Sequence, residues 1–198
     1  WDGEWWVADN DMFRFPKGII VGQRNDDCVY GNSVLSVDND GDNCPSNNGA
    51  VTLGEDNSAT GPYSVVLGGT SNVASGFGSV VLGGFDNTAS DRYSVVSGGN
   101  LNAAAGLYSV ISGGYQNTAV GDWSVVSGGY DNTASGKLSV VSGGSSNTAE
   151  GRSSAVSAGK SNTAKGKNSA VSGGNLNTAD EENSWVAVFP FTWDGEWW

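Results

Sequence analysis

Histidine is absent from this 198-residue chain, and cysteine, methionine and proline are scarce, with two, one and four residues respectively. Without histidine the chain lacks the commonest general base and a frequent zinc ligand. The many serines stand in repeated rows with no neighbouring base to activate them as nucleophiles. The glycine pairs precede turns and not helices, so no phosphate-cradling loop is predicted. We therefore predict that the protein is not an enzyme.

Long apolar runs and basic residues are also in short supply. No apolar run approaches the roughly 18 residues that a membrane-spanning helix needs, so we expect no membrane insertion. The chain has 9 Lys and Arg against 21 Asp and Glu, for a net charge of −12, which argues against nucleic acid as a partner. It begins at Trp1 without a secretory leader, so we expect a mature fragment or one excised unit.

Glycine, in contrast, is abundant, with 31 residues, and a tandem repeat of 15 residues extends from Ser64 to Ser184. An asparagine recurs at the same step, and an alanine follows each of these asparagines two residues later. The asparagines are Asn72, Asn87, Asn102, Asn117, Asn132, Asn147, Asn162 and Asn177. A period this strict predicts that each repeat is one turn of a stacked object.

Fifteen residues are too few for a pair of helices but are sufficient for two short strands and two turns. Ser-Val-Val predicts the first strand because β-branched side chains suit a pleated surface, and Gly68-Gly69 and its equivalents end it. Asn-Thr-Ala predicts a second, shorter strand. The sequence therefore predicts an all-β parallel solenoid, or β-roll, whose coils of about 15 residues rise about 4.8 Å each.

Two adjacent apolar rows follow the first strand of every coil. One row comprises Val66, Val81, Val96, Ile111, Val126, Val141, Val156 and Val171, and the other Val65, Val80, Val95, Val110, Val125, Val140, Ala155 and Ala170. Because neighbours on a strand point to opposite faces, both faces need cover. One row can fill the interior, and we predict that the other meets further chains in a closed homotrimer. The alternative is that the chain's own flanking segments cover it.

The coil at residues 50–61, with Ala50-Val51-Thr52-Leu53-Gly54 followed by Ser58-Ala59-Thr60-Gly61, resembles the head repeat of trimeric autotransporter adhesins of the YadA-like type. Later coils resemble it with one extra glycine. The resemblance covers about residues 49–184. It implies a left-handed parallel β-roll, a trimer, and a place on a surface-exposed, extracellular fibre.

The hexapeptide Trp-Asp-Gly-Glu-Trp-Trp both opens and closes the chain. In one interpretation this chain is one period of a longer tandem protein. In another, the two copies are equivalent strands that complement neighbouring molecules. Both interpretations predict modules joined end to end. A duplicated tag is the alternative, and a glycan platform is a less favoured role for the tryptophans. The predicted assembly interface comprises Trp1, Asp2, Glu4, Trp5, Trp6, Trp185, Trp193, Trp197, Trp198, Val65, Val80, Val95 and Val110.

Three regions follow from these patterns. Residues 1–48 form an N-terminal cap or junction with an acidic loop, residues 49–184 the β-roll, and residues 185–198 a connecting strand and the start of the next module. Within the cap, residues 12–15, 18–22 and 32–37 have the composition of strands. We expect a small irregular β cap that seals the open end of the roll and prevents edge-to-edge aggregation.

The acidic loop at residues 38–45 is the best candidate metal site. Acidic residues at alternate positions around a glycine turn direct several carboxylate oxygens to one side, which suits calcium. The loop resembles the aspartate-rich calcium loops of thrombospondin type 3 repeats, and a solvated acidic turn is the alternative. The predicted calcium ligands are Asp38, Asp40, Asp42, Asp26 and Asp27.

Cys28 and Cys44 are the two cysteines of the chain, and we predict that they form a disulfide. The bridge would close a loop of about 16 residues and stabilise the fold by roughly 3 kcal/mol. Two buried thiols are the alternative.

Aromatic side chains recur beside the turns. One row holds Tyr63, Tyr93, Tyr108 and Trp123, and a second holds Phe85, Tyr115 and Tyr130. Stacking between coils is the favoured interpretation, and Phe85, Tyr115, Tyr130 and Trp123 are candidates for contact with a glycan or matrix ligand. The sequence thus favours a structural subunit of an extracellular fibre over an adhesin head. A row of threonines makes an ice-binding solenoid a remote third hypothesis.

Overall fold

A computed structural model describes residues 18–23, 26–38 and 42–187. Within these ranges the chain forms strands, isolated bridges and turns, and it contains no helix long and apolar enough to cross a membrane. The strands build two parallel sheets, because each coil contributes one short strand to each sheet before the chain returns one coil further along. The prediction of an all-β parallel solenoid is therefore confirmed.

The strands of the two sheets, in spatial order, have the following bounds among the described residues. The twelve-stranded sheet contains Gly18–Gly22, Val34–Asp38, Val51–Leu53, Val65–Val66, Val80–Val81, Val95–Val96, Val110–Ile111, Val125–Val126, Val140–Val141, Ala155–Val156, Ala170–Val171 and Trp185–Val186. The ten-stranded sheet contains Cys44–Pro45, Ser58–Ala59, Val73–Ala74, Thr88–Ala89, Ala103–Ala104, Thr118–Ala119, Thr133–Ala134, Thr148–Ala149, Thr163–Ala164 and Thr178–Ala179.

The register of both sheets follows the 15-residue period. Val110 pairs with Val95 on one side and with Val125 on the other, and Thr118 pairs with Ala103 and Thr133 in the same way. Each residue therefore lies beside its own equivalent in the neighbouring coil. A feature repeated in the sequence becomes a continuous row along the solenoid.

The interior of each coil is thin and is filled by small side chains. In one coil the buried residues of the two strands are Ile111 and Ala119, with Ser109 and Asn117 just before each strand. The row that contains Val66 and Ile111 is thus the inward one, and the row that contains Val65 is only half-buried. Burial of one branched aliphatic side chain stabilises by roughly 1.5–3 kcal/mol, so a coil depends on its neighbours for stability.

Two corners of each coil place a residue in the left-handed region, with φ between 51° and 61° at the non-glycine positions. The first row of corners comprises Tyr63, Tyr93, Tyr108, Trp123, Leu138, Ser153, Asn168 and Asn183, and the second comprises Asp56, Ser71, Asp86, Leu101, Gln116, Asp131, Ser146, Ser161 and Leu176. This conformation costs about 1–2 kcal/mol for an ordinary L-residue. Contacts between coils must offset that cost at every turn.

The described part of the predicted cap continues the same architecture. The predicted strand at 18–22 is present as Gly18–Gly22, and the one predicted at 32–37 is present as Val34–Asp38. These two five-residue strands pair in parallel and extend the twelve-stranded sheet beyond Val51–Leu53. The strand predicted at residues 12–15 lies outside the described residues.

Cys28 and Cys44 are joined by a disulfide with a Cα–Cα distance of 5.5 Å. Cys44 opens the first strand of the ten-stranded sheet, and Cys28 is buried. The bridge therefore ties the chain that precedes Val34–Asp38 to the first coil that has strands in both sheets.

Candidate functional surfaces

A ladder of buried asparagines runs along the interior and binds each coil to the next. The Nδ2 of Asn117 donates to the carbonyl oxygen of Gly113 at 3.0 Å and to that of Gly129, in the next coil, at 3.0 Å. Its Oδ1 accepts from the backbone N–H of Asn132 at 3.0 Å. One carboxamide thus satisfies three backbone groups at the corner where the strands end, and buried polar groups need such partners.

The asparagine ladder begins earlier than the repeat suggested. Asn43, which belongs to the predicted acidic loop, is buried, donates to the carbonyl of Gly54 at 2.9 Å, and accepts from the N–H of Asn57 at 2.8 Å. The main hydrogen-bond partners of the asparagine row are backbone groups of the same coil and of the next one. Sequence reasoning missed Asn43 as a member, although its spacing of 14 residues from Asn57 marks it.

Five aromatic rings form a continuous exposed stack along one corner of the solenoid, which we call the aromatic ladder. Its members are Tyr63, Phe77, Tyr93, Tyr108 and Trp123. The first two steps are edge-to-face contacts with centroids 5.5 and 5.6 Å apart. The last two are stacked, at 5.0 and 4.4 Å. Such pairs contribute about 0.5–1.5 kcal/mol each beyond buried area, which offsets part of the strain at these left-handed corners.

Phe77 is the member of the aromatic ladder that the 15-residue frame does not predict. The frame places Gly78 at that corner, with φ of 62°, and the ring one residue earlier fills the gap between Tyr63 and Tyr93. The sequence feature that could have identified Phe77 is a glycine at an otherwise aromatic position of the repeat, directly preceded by an aromatic residue.

The second aromatic row lies on the isolated bridges between the two sheets. Tyr115 and Tyr130 stack with centroids 5.5 Å apart and planes within 5°. Phe85 belongs to the same bridge row but is separated from Tyr115 by Asn100. These three rings are 38–51% exposed. Stacking between coils, the favoured interpretation, is thus present in both rows.

The outer face of the twelve-stranded sheet carries the half-buried Val65 row. Val65, Val80, Val95 and Val110, the four valines of the predicted interface, lie there in register. Leu67 and Leu82 border this row on the same face and are 46% and 44% exposed. Further along, Ser97 and its equivalents take the place of the leucines. The face is an apolar strip with a small polar margin, which suits close contact with another flat surface.

The candidate calcium ligands are only partly within the described residues. Asp26, Asp27 and Asp42 are described, Asp40 is not, and the side chain of Asp38 is not described. In the described part of the chain no group of three or more acidic, histidine or cysteine side chains is arranged to hold a metal. The proposed calcium loop therefore stays a prediction.

The predicted end interface falls largely outside the described ranges, since both copies of the Trp-Asp-Gly-Glu-Trp-Trp hexapeptide, at residues 1–6 and 193–198, do so. Trp185 is described: it is 61% exposed, and its indole N–H donates to the hydroxyl of Ser172 at 2.7 Å. In the same end region, Lys167 pairs with Glu182 at 2.8 Å and Lys165 with Asp180 at 3.7 Å. These charge pairs link neighbouring coils at exposed positions, where each contributes little.

No protein-family model matches the chain, and a search of curated proteins finds no match.

Proposed function

We propose that this protein is a structural subunit of an extracellular fibre, built from trimeric β-roll modules joined end to end. The observation that carries the proposal is the half-buried valine row on the outer face of the twelve-stranded sheet. Three such faces around one axis would bury all three valine rows in a closed interface. The resemblance of residues 50–61 to adhesin head repeats supports the same arrangement and the left-handed coil.

The residues that recur in each 15-residue repeat also support a structural role. The buried asparagine of each repeat hydrogen-bonds the backbone of neighbouring coils, and in the described residues no group of three or more His, Cys, Asp or Glu side chains is arranged to hold a metal. The repeated hexapeptide, with its three tryptophans, supports end-to-end joining, because large aromatic side chains dominate the energetics of interfaces.

Val110→Lys is expected to convert the trimer into monomers of 20.3 kDa, measured by light scattering coupled to size exclusion. Val110 lies near the middle of the valine row, and three-fold symmetry would bring three buried ammonium groups together. The matched control is Thr118→Lys in the same coil, a half-buried outward residue of the other sheet, which should keep the trimer mass.

Two results would contradict the assembly. A folded, soluble wild-type chain with the mass of a monomer would remove the trimer. A V110K variant that stays trimeric would show that subunits meet through another face. Circular dichroism on each variant establishes that the solenoid has formed, so that a change in mass reports association and not unfolding.

The adhesin and ice-binding hypotheses have less support. A sugar ring packs against an open aromatic face, and of the candidate ligand residues Trp123 is stacked on Tyr108 and Tyr115 on Tyr130, so each of these rings has one face covered. On the ten-stranded sheet, the outward row beside the threonines contains Glu150 and Lys165, and charges there interrupt a flat lattice of hydroxyl groups.

Calcium is the one cofactor that we propose, bound at the acidic loop. If it binds there, chelation should lower the melting temperature, because a ligand present at 100 times its Kd stabilises the native state by about 2.7 kcal/mol. Asp42→Asn should abolish the effect of the chelator, whereas Asp131→Asn, at an exposed corner remote from the loop, should retain it. An unchanged melting temperature on chelation of the wild-type protein refutes the calcium site.

A further inference from the structure

Four of the six tyrosines of the chain stand in two stacked pairs, each joining neighbouring coils. Tyr115 and Tyr130 have ring centroids 5.5 Å apart with planes within 5°, and Tyr93 and Tyr108 are 5.0 Å apart with planes within 12°. All four are 38–51% exposed, so a soluble oxidant can reach their phenol groups. Tyr63 differs, since the ring next to it in the stack is that of Phe77.

The geometry of the pairs follows from the parallel register of the coils. Tyr115 and Tyr130 are bridge partners, so their backbones run side by side in the same direction and their side chains leave on the same side. The two rings are therefore nearly parallel and oriented alike. The carbons next to the hydroxyl groups therefore point the same way on rings whose centroids are 5.5 Å apart, so side-chain rotation can bring them together for the coupling of two phenoxyl radicals.

We propose that the Tyr115–Tyr130 pair is an oxidative modification site that forms a dityrosine cross-link between adjacent coils. The co-reactant is hydrogen peroxide with a haem peroxidase. Each phenol gives one electron and one proton, and the two radicals form one carbon–carbon bond between the ring positions ortho to the hydroxyls. Both rings recover their aromaticity by losing the two ortho hydrogens as protons, the phenoxyl oxygens are reprotonated, and the peroxide is reduced to two water molecules.

The Tyr93–Tyr108 pair is a second site of the same kind. It differs in its surroundings, because Tyr108 continues to Trp123 at 4.4 Å and the indole competes for the oxidising equivalent. The Tyr115–Tyr130 pair has no stacked tryptophan in the described residues, so no stacked indole competes with these two phenols for oxidation. A cross-link at either site fastens one coil to the next at its corner, where the strands themselves are only two residues long.

The test is to treat dilute protein with hydrogen peroxide and horseradish peroxidase and to follow the blue fluorescence of dityrosine. Digestion at the N-terminal side of aspartate then separates residues 91–121, which contain Tyr93, Tyr108 and Tyr115, from residues 122–130, which contain Tyr130, and fragmentation of the joined peptides identifies the tyrosine that is linked to Tyr130. We expect these two peptides to be recovered as one covalent species that lacks two hydrogen atoms, or four where the Tyr93–Tyr108 pair within residues 91–121 has also cross-linked. Denaturing electrophoresis should show the product at the mass of a single chain.

Tyr130→Phe keeps the stack but removes one phenol. It should abolish the joined peptides and, if the two pairs act independently, lower the fluorescence by about half. Tyr63→Phe, which alters no tyrosine pair, should leave both unchanged. The proposal is overturned if the wild-type peptides stay separate, if Y130F still yields them joined, or if the cross-links appear only between chains. The inference concerns each chain by itself and does not depend on the fibre function.

Discussion

Replacing Gly144 by alanine is expected to lower the free energy of unfolding by about 3–5 kcal/mol, from backbone strain and overpacking together. Gly144 has a φ of 89°, which L-residues rarely adopt. A Cβ built there would lie 2.6 Å from the Nδ2 of Asn147 and 2.8 Å from the backbone nitrogen of Gly159, and it would overlap the carbonyl oxygen of Gly159. The substitution therefore displaces both the backbone of the next coil and the asparagine ladder.

The preceding glycine provides the matched control. A Cβ at Gly143 would meet nothing within 4 Å, and Ala158 already occupies the equivalent position one coil later. Gly143→Ala should change the free energy of unfolding by less than about 0.5 kcal/mol, as is usual for surface substitutions. Both variants are compared by chemical denaturation at the same chain concentration. Equal stabilities for G143A and G144A would mean that the coils are not packed as closely as described.

Removing one rung of the asparagine ladder should have a comparable effect. Asn117→Ala leaves the carbonyl oxygen of Gly113 and the N–H of Asn132 without a partner, and the carbonyl oxygen of Gly129 keeps only its bond from the N–H of Tyr115. An unsatisfied buried group costs about 1–3 kcal/mol, so the two groups left without a partner predict a loss of about 2–5 kcal/mol. Thermal and chemical denaturation measure this directly, and hydrogen exchange should show the loss concentrated in the coils on either side.

Asn175→Ala is the matched control for the ladder, since Asn175 is an exposed asparagine of the bridge row. Its replacement should be nearly neutral. If N117A proved as stable as N175A, the ladder would not be what fastens the coils. Stability would then have to come from the thin aliphatic core and the strand pairing.

The glycine and asparagine substitutions test the same structural feature, because the asparagine and glycine rows meet at the same corner of each coil. The Nδ2 of each asparagine reaches a glycine carbonyl of the next coil, as Asn132 reaches Gly144 at 2.9 Å. The glycine can accept this bond only where no Cβ stands in the way. The asparagine and the glycine twelve residues later are thus required together, which explains why both rows persist while neighbouring positions vary.

Much of the architecture could be predicted from the period and from strand alternation. A 15-residue repeat allows only short strands, and in-register stacking follows because equivalent residues pair best with themselves. The disulfide between Cys28 and Cys44, which the structure contains, was predicted from composition and spacing alone. In contrast, the two valine rows are nearly identical in sequence, so which one points inward could not be read from Val65 and Val66 themselves.

The candidate surfaces could be predicted less completely, for reasons that particular residues make plain. Tyr108 and Trp123 occupy left-handed corners, where residue preference favours glycine or asparagine, because stacking with the next coil offsets the local strain. Phe77 belongs to the aromatic ladder although it lies one residue before the position that is equivalent to Tyr93 in the repeat. Its ring nevertheless packs against Tyr93. The conformational preferences of single residues cannot predict these contacts between coils.

The sequence by itself determined the class of fold, the length of each coil and the identity of the rows, because these depend on alternation and spacing along the chain. Only the tertiary structure decided which face is buried, which corners are left-handed and which atoms the asparagines bind. Those features depend on groups 12 to 15 residues away that become neighbours when a coil closes, and the closure of one coil is fixed by the coil that packs against it.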